Sequence, residues 1–172
     1  MSVPEFSHII DIRHITADPL VLEPDDAARL RLAGRFGLTE ITAMRAELKL
    51  VPDGSKVEVK GRLTASLIQP CAISGEDFPV GIKEPVALRF VPASPVAYAP
   101  DEEIEITADD CDEIEYEGMT FDLGEAVAQT LALAIDPFAE GPNASKARAE
   151  HNLSGDAGSG PFAALSALQR KD

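Results

Sequence analysis

Several features are scarce in this sequence of 172 residues. It has no tryptophan, and aromatic residues make up only 5 % of the chain. No stretch approaches the about 18 consecutive apolar residues that indicate a transmembrane helix, so we expect no membrane span. The first residues, Met1–Phe6, have neither the basic region nor the apolar region of a secretion signal, which predicts a cytoplasmic protein. The two cysteines, Cys71 and Cys111, are then expected to be reduced thiols.

Basic charge is also scarce. Fifteen basic side chains stand against 30 acidic ones, which gives a formal net charge of −15. No run of lysine and arginine occurs that could supply the phosphate contacts on which nucleic-acid binders depend. We therefore expect no direct binding to bare nucleic acid and none to anionic membranes. The field of such a protein attracts cationic surfaces instead.

Alternation of apolar and polar residues dominates the first half of the chain. Two alternating runs between residues 44 and 67 flank the turn residues 52–55, which predicts an antiparallel hairpin. A third alternating run follows Pro79, and Pro85 within it indicates an edge strand or a bulge. The predicted fold class is α+β, with a mostly antiparallel sheet curled into a small barrel-like domain.

Two helices are predicted to flank this sheet, near residues 25–36 and 122–135. Acidic residues at the start of the first helix and Gly37 after its end suit the two helix termini. Asp122 is the candidate N-cap of the second helix, with Glu125 three residues later as its capping-box partner. The second helix carries an apolar stripe of Leu123, Val127, Leu131 and Ala134.

The domain organisation follows from composition. Residues 1–138 are predicted to form a single antiparallel-β-rich domain. Residues 139–160 hold eight Gly, Ser and Pro residues, which predicts a flexible linker. Residues 161–172 are apolar again and are interpreted as a C-terminal docking segment.

An acidic segment, residues 101–117, is the most distinctive feature of the sequence. It contains ten Asp and Glu residues and no Lys or Arg. It could receive a basic protein surface, or it could be a solvated loop and edge strand whose charge prevents aggregation. A calcium site is a third alternative, disfavoured because the spacing of an EF-hand loop is absent. The candidate partner-binding carboxylates are Asp101, Glu102, Glu103, Glu105, Asp109 and Asp110.

The C-terminal segment supplies an apolar counterpart. Phe162, Leu165 and Leu168 follow one another at intervals of three residues, which is a rough helical stripe. A terminal helix that completes the core would have the same pattern. The preceding linker favours docking on a partner instead, because so long a linker is an unusual way to close a core.

The sequence contains none of the common catalytic or cofactor-binding motifs. No nucleophile-elbow, Walker or Rossmann motif occurs, and neither a small-molecule substrate nor a cofactor is indicated. Zinc needs about four ligands, and the two isolated cysteines do not supply them. We expect no enzymatic activity and no bound metal.

The order of several segments resembles one known family. Cys71–Pro79 precedes a strand, the acidic segment follows, Phe121–Ala126 opens a helix, and Pro161–Leu168 closes the chain. This order resembles the YceD family, the large-ribosomal-subunit RNA accumulation proteins of bacteria and plastids. The resemblance implies a role in making or stabilising the large-subunit ribosomal RNA. Many members carry Cys-x-x-Cys where this chain has Cys71 and Ser74, which puts any metal site of that motif in doubt here.

Charge and family together favour one function. A chain of this charge suits a basic partner, and ribosomal proteins are highly basic. We expect a ribosome-biogenesis factor that holds a basic ribosomal protein or docks on the pre-ribosomal large subunit. The alternative is a Mg-dependent hydrolase or nuclease of rRNA processing, in which the acidic cluster holds the metal.

Overall fold

The computed structural model describes residues 4–93, 113–151 and 153. Three helices, seven strands and one short 3₁₀ turn, Ile12–His14, lie in these ranges. The strands are β1 (Ile9–Asp11), β2 (Leu20–Leu22), β3 (Glu40–Asp53), β4 (Lys56–Pro70), β5 (Asp77–Pro92), β6 (Glu113–Tyr116) and β7 (Thr120–Asp122). The helices are α1 (Asp26–Phe36), α2 (Leu123–Ala134) and α3 (Ala144–Glu150).

The described chain divides into two compact units. The first comprises described residues of Met1–Ile68 and Pro79–Ile135, and the second comprises those of Gln69–Phe78 and Asp136–Asp172. The first unit holds the hydrophobic core and most of the regular structure. The second unit is small and is described with the candidate site below.

Five strands form the main sheet in the order β2-β3-β4-β5-β6, and β1 pairs with β7 in a separate two-stranded sheet. The predicted hairpin is confirmed as β3 and β4, which pair antiparallel from Glu40 opposite Ile68 to Asp53 opposite Lys56. Strand β6 is the exception in direction, because it runs parallel to β5. The predicted α+β class with a mostly antiparallel sheet is therefore confirmed.

The core lies on the inward side of this sheet. Alternate residues of β3 and β4 are buried there, among them Leu48, Val59 and Leu63, each at most 1 % exposed. Period-two burial is what a strand requires when one face is packed and the other is solvated. The alternation in the sequence thus sets which side chains of the hairpin enter the core.

Helix α1 begins and ends at the expected signals. The Asp25 carboxylate accepts a hydrogen bond from the Ala28 N–H at 2.7 Å and so satisfies a free donor of the first turn. Gly37 ends the helix in the left-handed region at a φ of 67°, where a residue without Cβ is favoured. Both ends of the predicted 25–36 helix are confirmed.

Helix α2 has only half of the predicted capping box. The Asp122 carboxylate accepts from the Glu125 N–H at 3.2 Å, and also from the His8 N–H at 2.8 Å. The Glu125 carboxylate forms a bidentate pair with Arg35, at 2.9 and 2.8 Å. A bidentate arginine is a stronger partner than one backbone N–H, which explains why the reciprocal half is absent.

The barrel-like closure is not confirmed. The five-stranded sheet is open, with β2 and β6 at its two edges. These edge strands have three and four residues, too few to pair along the 14 to 16 residues of β3, β4 and β5. Strand β6 pairs only with Arg89–Pro92, so Pro85 lies where no described strand flanks β5 on that side. This placement agrees with the edge position that Pro85 indicated.

Part of the predicted linker is helical. Helix α3 occupies residues 144–150, a short run of Ala, Lys, Arg and Glu with good helix propensity. The Lys146 and Glu150 side chains form an i,i+4 pair at 3.8 Å, which supports the helix. Composition averaged over the whole linker concealed this run. The flexibility of residues 139–160 stays a prediction.

Candidate functional site

The predicted partner-binding residues lie outside the described ranges. This holds for both groups, the carboxylates and the apolar C-terminal side chains, and their roles stay predictions. They are Asp101, Glu102, Glu103, Glu105, Asp109, Asp110, Phe162, Leu165 and Leu168. The described remainder of the acidic segment, residues 113–117, shows where its C-terminal end joins the fold.

This end of the acidic segment is strand β6, at the edge of the main sheet. Within β6, Tyr116 is buried at 5 % exposure, whereas Glu115 and the following Glu117 are exposed. Glu113 contacts Arg89 on the neighbouring strand at 3.3 Å. Charged residues on an edge strand prevent pairing with other chains, and they also create a surface of one sign. We call residues 113–117, which comprise β6 and the exposed Glu115 and Glu117, the acidic edge.

Aromatic packing holds the acidic edge in place. The Phe90 and Phe121 rings stack with centroids 3.9 Å apart, and Tyr116 lies 5.9 Å from Phe121 at a tilt of 53°. The Tyr116 hydroxyl donates to the Ser55 carbonyl, so its polar group has a partner although the ring is buried. The edge strand is thus anchored by one side chain that enters the core.

The second unit is built around a turn at Cys71. The Sγ of this buried, free cysteine accepts hydrogen bonds from the N–H groups of Ile73 at 3.4 Å and Ser74 at 3.3 Å. The Gly75 N–H donates to the Cys71 carbonyl at 2.9 Å and closes the turn. Gly75 has a φ of 72°, which favours glycine at this position. The turn therefore directs several hydrogen-bond donors at one sulfur atom.

These donors change the acidity of the thiol. Hydrogen bonds from the Ser74 side chain and backbone, and from the Gly141 and Ile73 N–H groups, stabilise the thiolate, whereas burial opposes it. Together they lower the pKa of Cys71 to about 7. A lowered pKa favours the thiolate, which is the nucleophilic form of cysteine.

The remainder of the second unit packs around this turn. The Ala72 N–H donates to the Ala139 carbonyl at 3.0 Å, and Asn143 Nδ2 donates to Glu76 Oε2 at 2.6 Å. Gly141 lies so close to Phe78 that a Cβ there would be 3.0 Å from its ring. These contacts pack residues 139–143 around the turn at Cys71.

The described ranges contain neither a metal-binding cluster nor a membrane-spanning helix. There, no three His, Cys, Asp or Glu side chains come together as a group that could hold a metal ion. None of the helices in that part of the chain has the length and apolar character that a membrane crossing needs.

Fold and surface together define the class: an α+β protein with an open, mostly antiparallel sheet and an acidic edge strand. Within this class, the chain belongs to the YceD family, described as the large ribosomal RNA subunit accumulation protein YceD, whose family model matches residues 59–169. The resemblance seen in the sequence is thereby confirmed over more than half of the chain. The family description links the chain to the accumulation of large-subunit ribosomal RNA. No curated protein and no solved structure matches it.

Proposed function

We propose that this chain is a non-enzymatic ribosome-biogenesis factor of the cytoplasm. It supports the accumulation of large-subunit (23S) ribosomal RNA by binding a basic ribosomal protein or a basic protein surface of the pre-ribosomal large subunit. Its effect on the RNA is indirect, because ribosomal RNA that is not assembled is degraded. The family assignment supports the link to ribosomal RNA. The charge of the chain supports a basic partner.

The observation that carries the choice of partner is the acidic edge. Glu115 and Glu117 are exposed at the edge of the main sheet, and they continue the acidic run that begins at Asp101. Ten carboxylates in 17 consecutive residues without a cation give a strong local potential. Such a potential raises the encounter rate with a basic protein and disfavours anionic partners at the same surface.

The apolar C-terminal segment supplies the second half of the proposed partner site. Burial of Phe162, Leu165 and Leu168 would contribute roughly 1.5 to 3 kcal/mol each, before the cost of ordering the segment. Apolar contacts are insensitive to salt and act mainly on dissociation. The two halves therefore have separate kinetic signatures.

The acidic half is tested by neutralisation. The probe is the purified large-subunit precursor particle, immobilised, with the full-length chain in solution at a series of salt concentrations. The amide variant should associate more slowly and show a weaker dependence on salt, because screening acts over only about 8 Å at physiological ionic strength. Its four substitutions are Asp101→Asn, Glu102→Gln, Glu103→Gln and Glu105→Gln.

A control variant has the same change in net charge at exposed carboxylates outside the acidic segment. It should keep most of the association rate of the unmodified chain. Equal slowing in both variants would show that net charge, rather than the acidic segment, governs association. The control substitutions are Asp18→Asn, Glu40→Gln, Asp53→Asn and Glu150→Gln.

The apolar half is tested by truncation of its side chains. The Phe162→Ala, Leu165→Ala variant should dissociate faster from the precursor particle and keep its salt dependence. Its thermal midpoint should be unchanged, because we place these side chains at the partner and outside the core. A fall of several degrees in that midpoint would instead assign the segment to the fold.

A further inference from the structure

The outward face of the main sheet collects basic side chains, although the chain as a whole is acidic. We call the outward positions of β3, β4 and β5 within residues 40–68 and 79–92 the sheet face. Seven cationic side chains stand there against four carboxylates, Glu40, Glu47, Asp53 and Glu58. Two carboxylates beside the face, Glu23 and Glu113, pair with Arg45 and Arg89, which leaves a surplus of one positive charge. The cations are Arg45, Lys49, Lys56, Lys60, Arg62, Lys83 and Arg89.

The strand register sets like charges directly opposite each other on this face. Lys49 of β3 pairs in register with Lys60 of β4, and both side chains point away from the core. Two like charges at directly opposed positions destabilise an antiparallel pair. An uncharged residue at either position would remove this cost, so the charge is unfavourable for the fold alone.

The carboxylates of the face are engaged by only some of the cations. Glu47 lies opposite Arg62, yet its carboxylate contacts Arg45 at 2.9 Å. Glu58 contacts Lys60 at 2.9 Å and Arg89 at 3.7 Å. Four exposed cations of the face have no carboxylate partner within 4 Å among the described residues. Lys56 stands at the hairpin end of β4, in register with Asp53, and the other three are Lys49, Arg62 and Lys83.

The positions of these three cations favour an extended polyanion. They stand on three consecutive strands, β3, β4 and β5, and adjacent strands are about 4.8 Å apart. The three backbone positions therefore span about 10 Å across the strands. One small anion does not reach across this width, whereas a chain of phosphates supplies several charges along it.

The composition of the sheet face indicates how such a polyanion is contacted. None of the outward positions of β3, β4 and β5 in the described ranges holds an aromatic side chain on which a base could stack. Hydroxyls and cations remain, and these contact phosphate and ribose without reading the bases.

We propose that the sheet face binds RNA through its phosphate backbone, with Lys49, Arg62 and Lys83 as the principal contacts. The expectation of no binding to bare nucleic acid depended on the absence of a basic run along the sequence. The fold assembles a basic surface from three strands, in which every second residue points inward. The proposal rests on the proposed function only for the source of the RNA, the large-subunit precursor.

The test is the affinity of the full-length chain for an in vitro transcribed large-subunit ribosomal RNA fragment, measured by fluorescence anisotropy over a series of salt concentrations. The face variant is Lys49→Gln, Arg62→Gln, Lys83→Gln. The control variant has the same net charge and changes cations outside the sheet face, Arg13→Gln, Arg31→Gln, Lys146→Gln.

The face variant should bind the RNA at least tenfold more weakly at low salt. It should also flatten the slope of log K against log salt by about 2 to 3, because each phosphate contact contributes about 0.7 to 0.9. The control variant should stay within about threefold of the unmodified chain if distant charges are screened beyond a Debye length. The thermal midpoint of Lys49→Gln should be unchanged or higher, because repulsion from Lys60 is removed.

Three results would overturn the proposal. They are no salt-dependent binding by the unmodified chain, an equal loss in the face and control variants, or equal competition by polyglutamate at matched charge. The last result would assign the face to acidic proteins instead of RNA. None of these results depends on the acidic segment, so failure here is distinct from failure of protein docking in the precursor-particle assay.

Discussion

Replacement of Gly61 by alanine probes the packing of β3 against β4 most sharply. Gly61 lies in β4, in register with Leu48 and between the outward Lys60 and Arg62. A Cβ built there would lie 1.9 Å from the Glu47 carbonyl oxygen and 2.9 Å from the Leu48 Cα. Both neighbours are backbone atoms, so no side-chain rotation can relieve the clash.

The expected cost follows from this geometry. The two strands must separate by about 1 Å or more at this register, which strains the pairing and loosens the core around Leu48. Overpacking of this kind costs typically 1 to 3 kcal/mol, and each weakened ladder hydrogen bond adds about 1 kcal/mol. Reduced entropy of the unfolded chain offsets about 0.4 to 1 kcal/mol. We expect a net loss of about 3 kcal/mol.

The assay is urea and thermal unfolding followed by circular dichroism. A loss of about 3 kcal/mol corresponds to a fall of roughly 6 to 12 °C in the thermal midpoint for a chain of this size. Gly81→Ala is the matched control, because Gly81 also lies in a strand of the sheet and its Cβ would meet nothing within 4 Å. That control should be neutral or slightly stabilising. Equal effects of the two substitutions would refute the close approach of β3 and β4 at Gly61.

Two further predictions concern ionisable groups. The pair with Arg35 lowers the pKa of Glu125, so its contribution is present above the unfolded-state pKa and is lost as pH falls through the folded-state value. Glu125→Gln should therefore cost about 1 kcal/mol at neutral pH and progressively less in acid, as measured by urea unfolding at a series of pH values. In a Cys111→Ser background, thiolate absorbance should show Cys71 titrating near pH 7. Ser74→Ala should raise that midpoint, because the strongest hydrogen bond to the thiolate is removed, and an unchanged midpoint would contradict this assignment.

Local signals of the sequence were sufficient for helix α1 and for the β3–β4 hairpin. Asp25 and Gly37 mark the ends of α1 because capping depends on side chains within a few residues of the terminus. The β3–β4 hairpin followed from alternation, because a strand with one buried face must alternate.

Features that depend on partners distant in sequence were not predictable in this way. The Glu125 carboxylate prefers Arg35, 90 residues earlier, and no local pattern reveals that pair. The parallel pairing of β6 with β5 likewise joins segments that local alternation does not pair. Both differences arise from tertiary contacts that compete successfully with local preferences.

The acidic segment and the sheet face differ in the same way, because the first depends on residues close in sequence and the second on residues distant in sequence. The acidic segment is recognisable from the sequence because its carboxylates lie close together along the chain. The cations of the sheet face are separated by inward apolar residues and by whole strands, so Lys49 and Arg62 come onto one face with Lys83 in the fold only. The donors around Cys71 are mostly backbone N–H groups, and their positions cannot be predicted from the types of the residues.

Sedimentation of the full-length chain with large-subunit precursors tests the central claim most directly. Lysates of cells that accumulate these precursors would be separated on sucrose gradients at low and at high salt, and the chain would be located by immunoblotting. We predict that the chain sediments with the precursor at low salt and less so at high salt, and that it is depleted from mature large subunits. A chain that stays at the top of the gradient at low salt, while the precursor is present, would contradict the account.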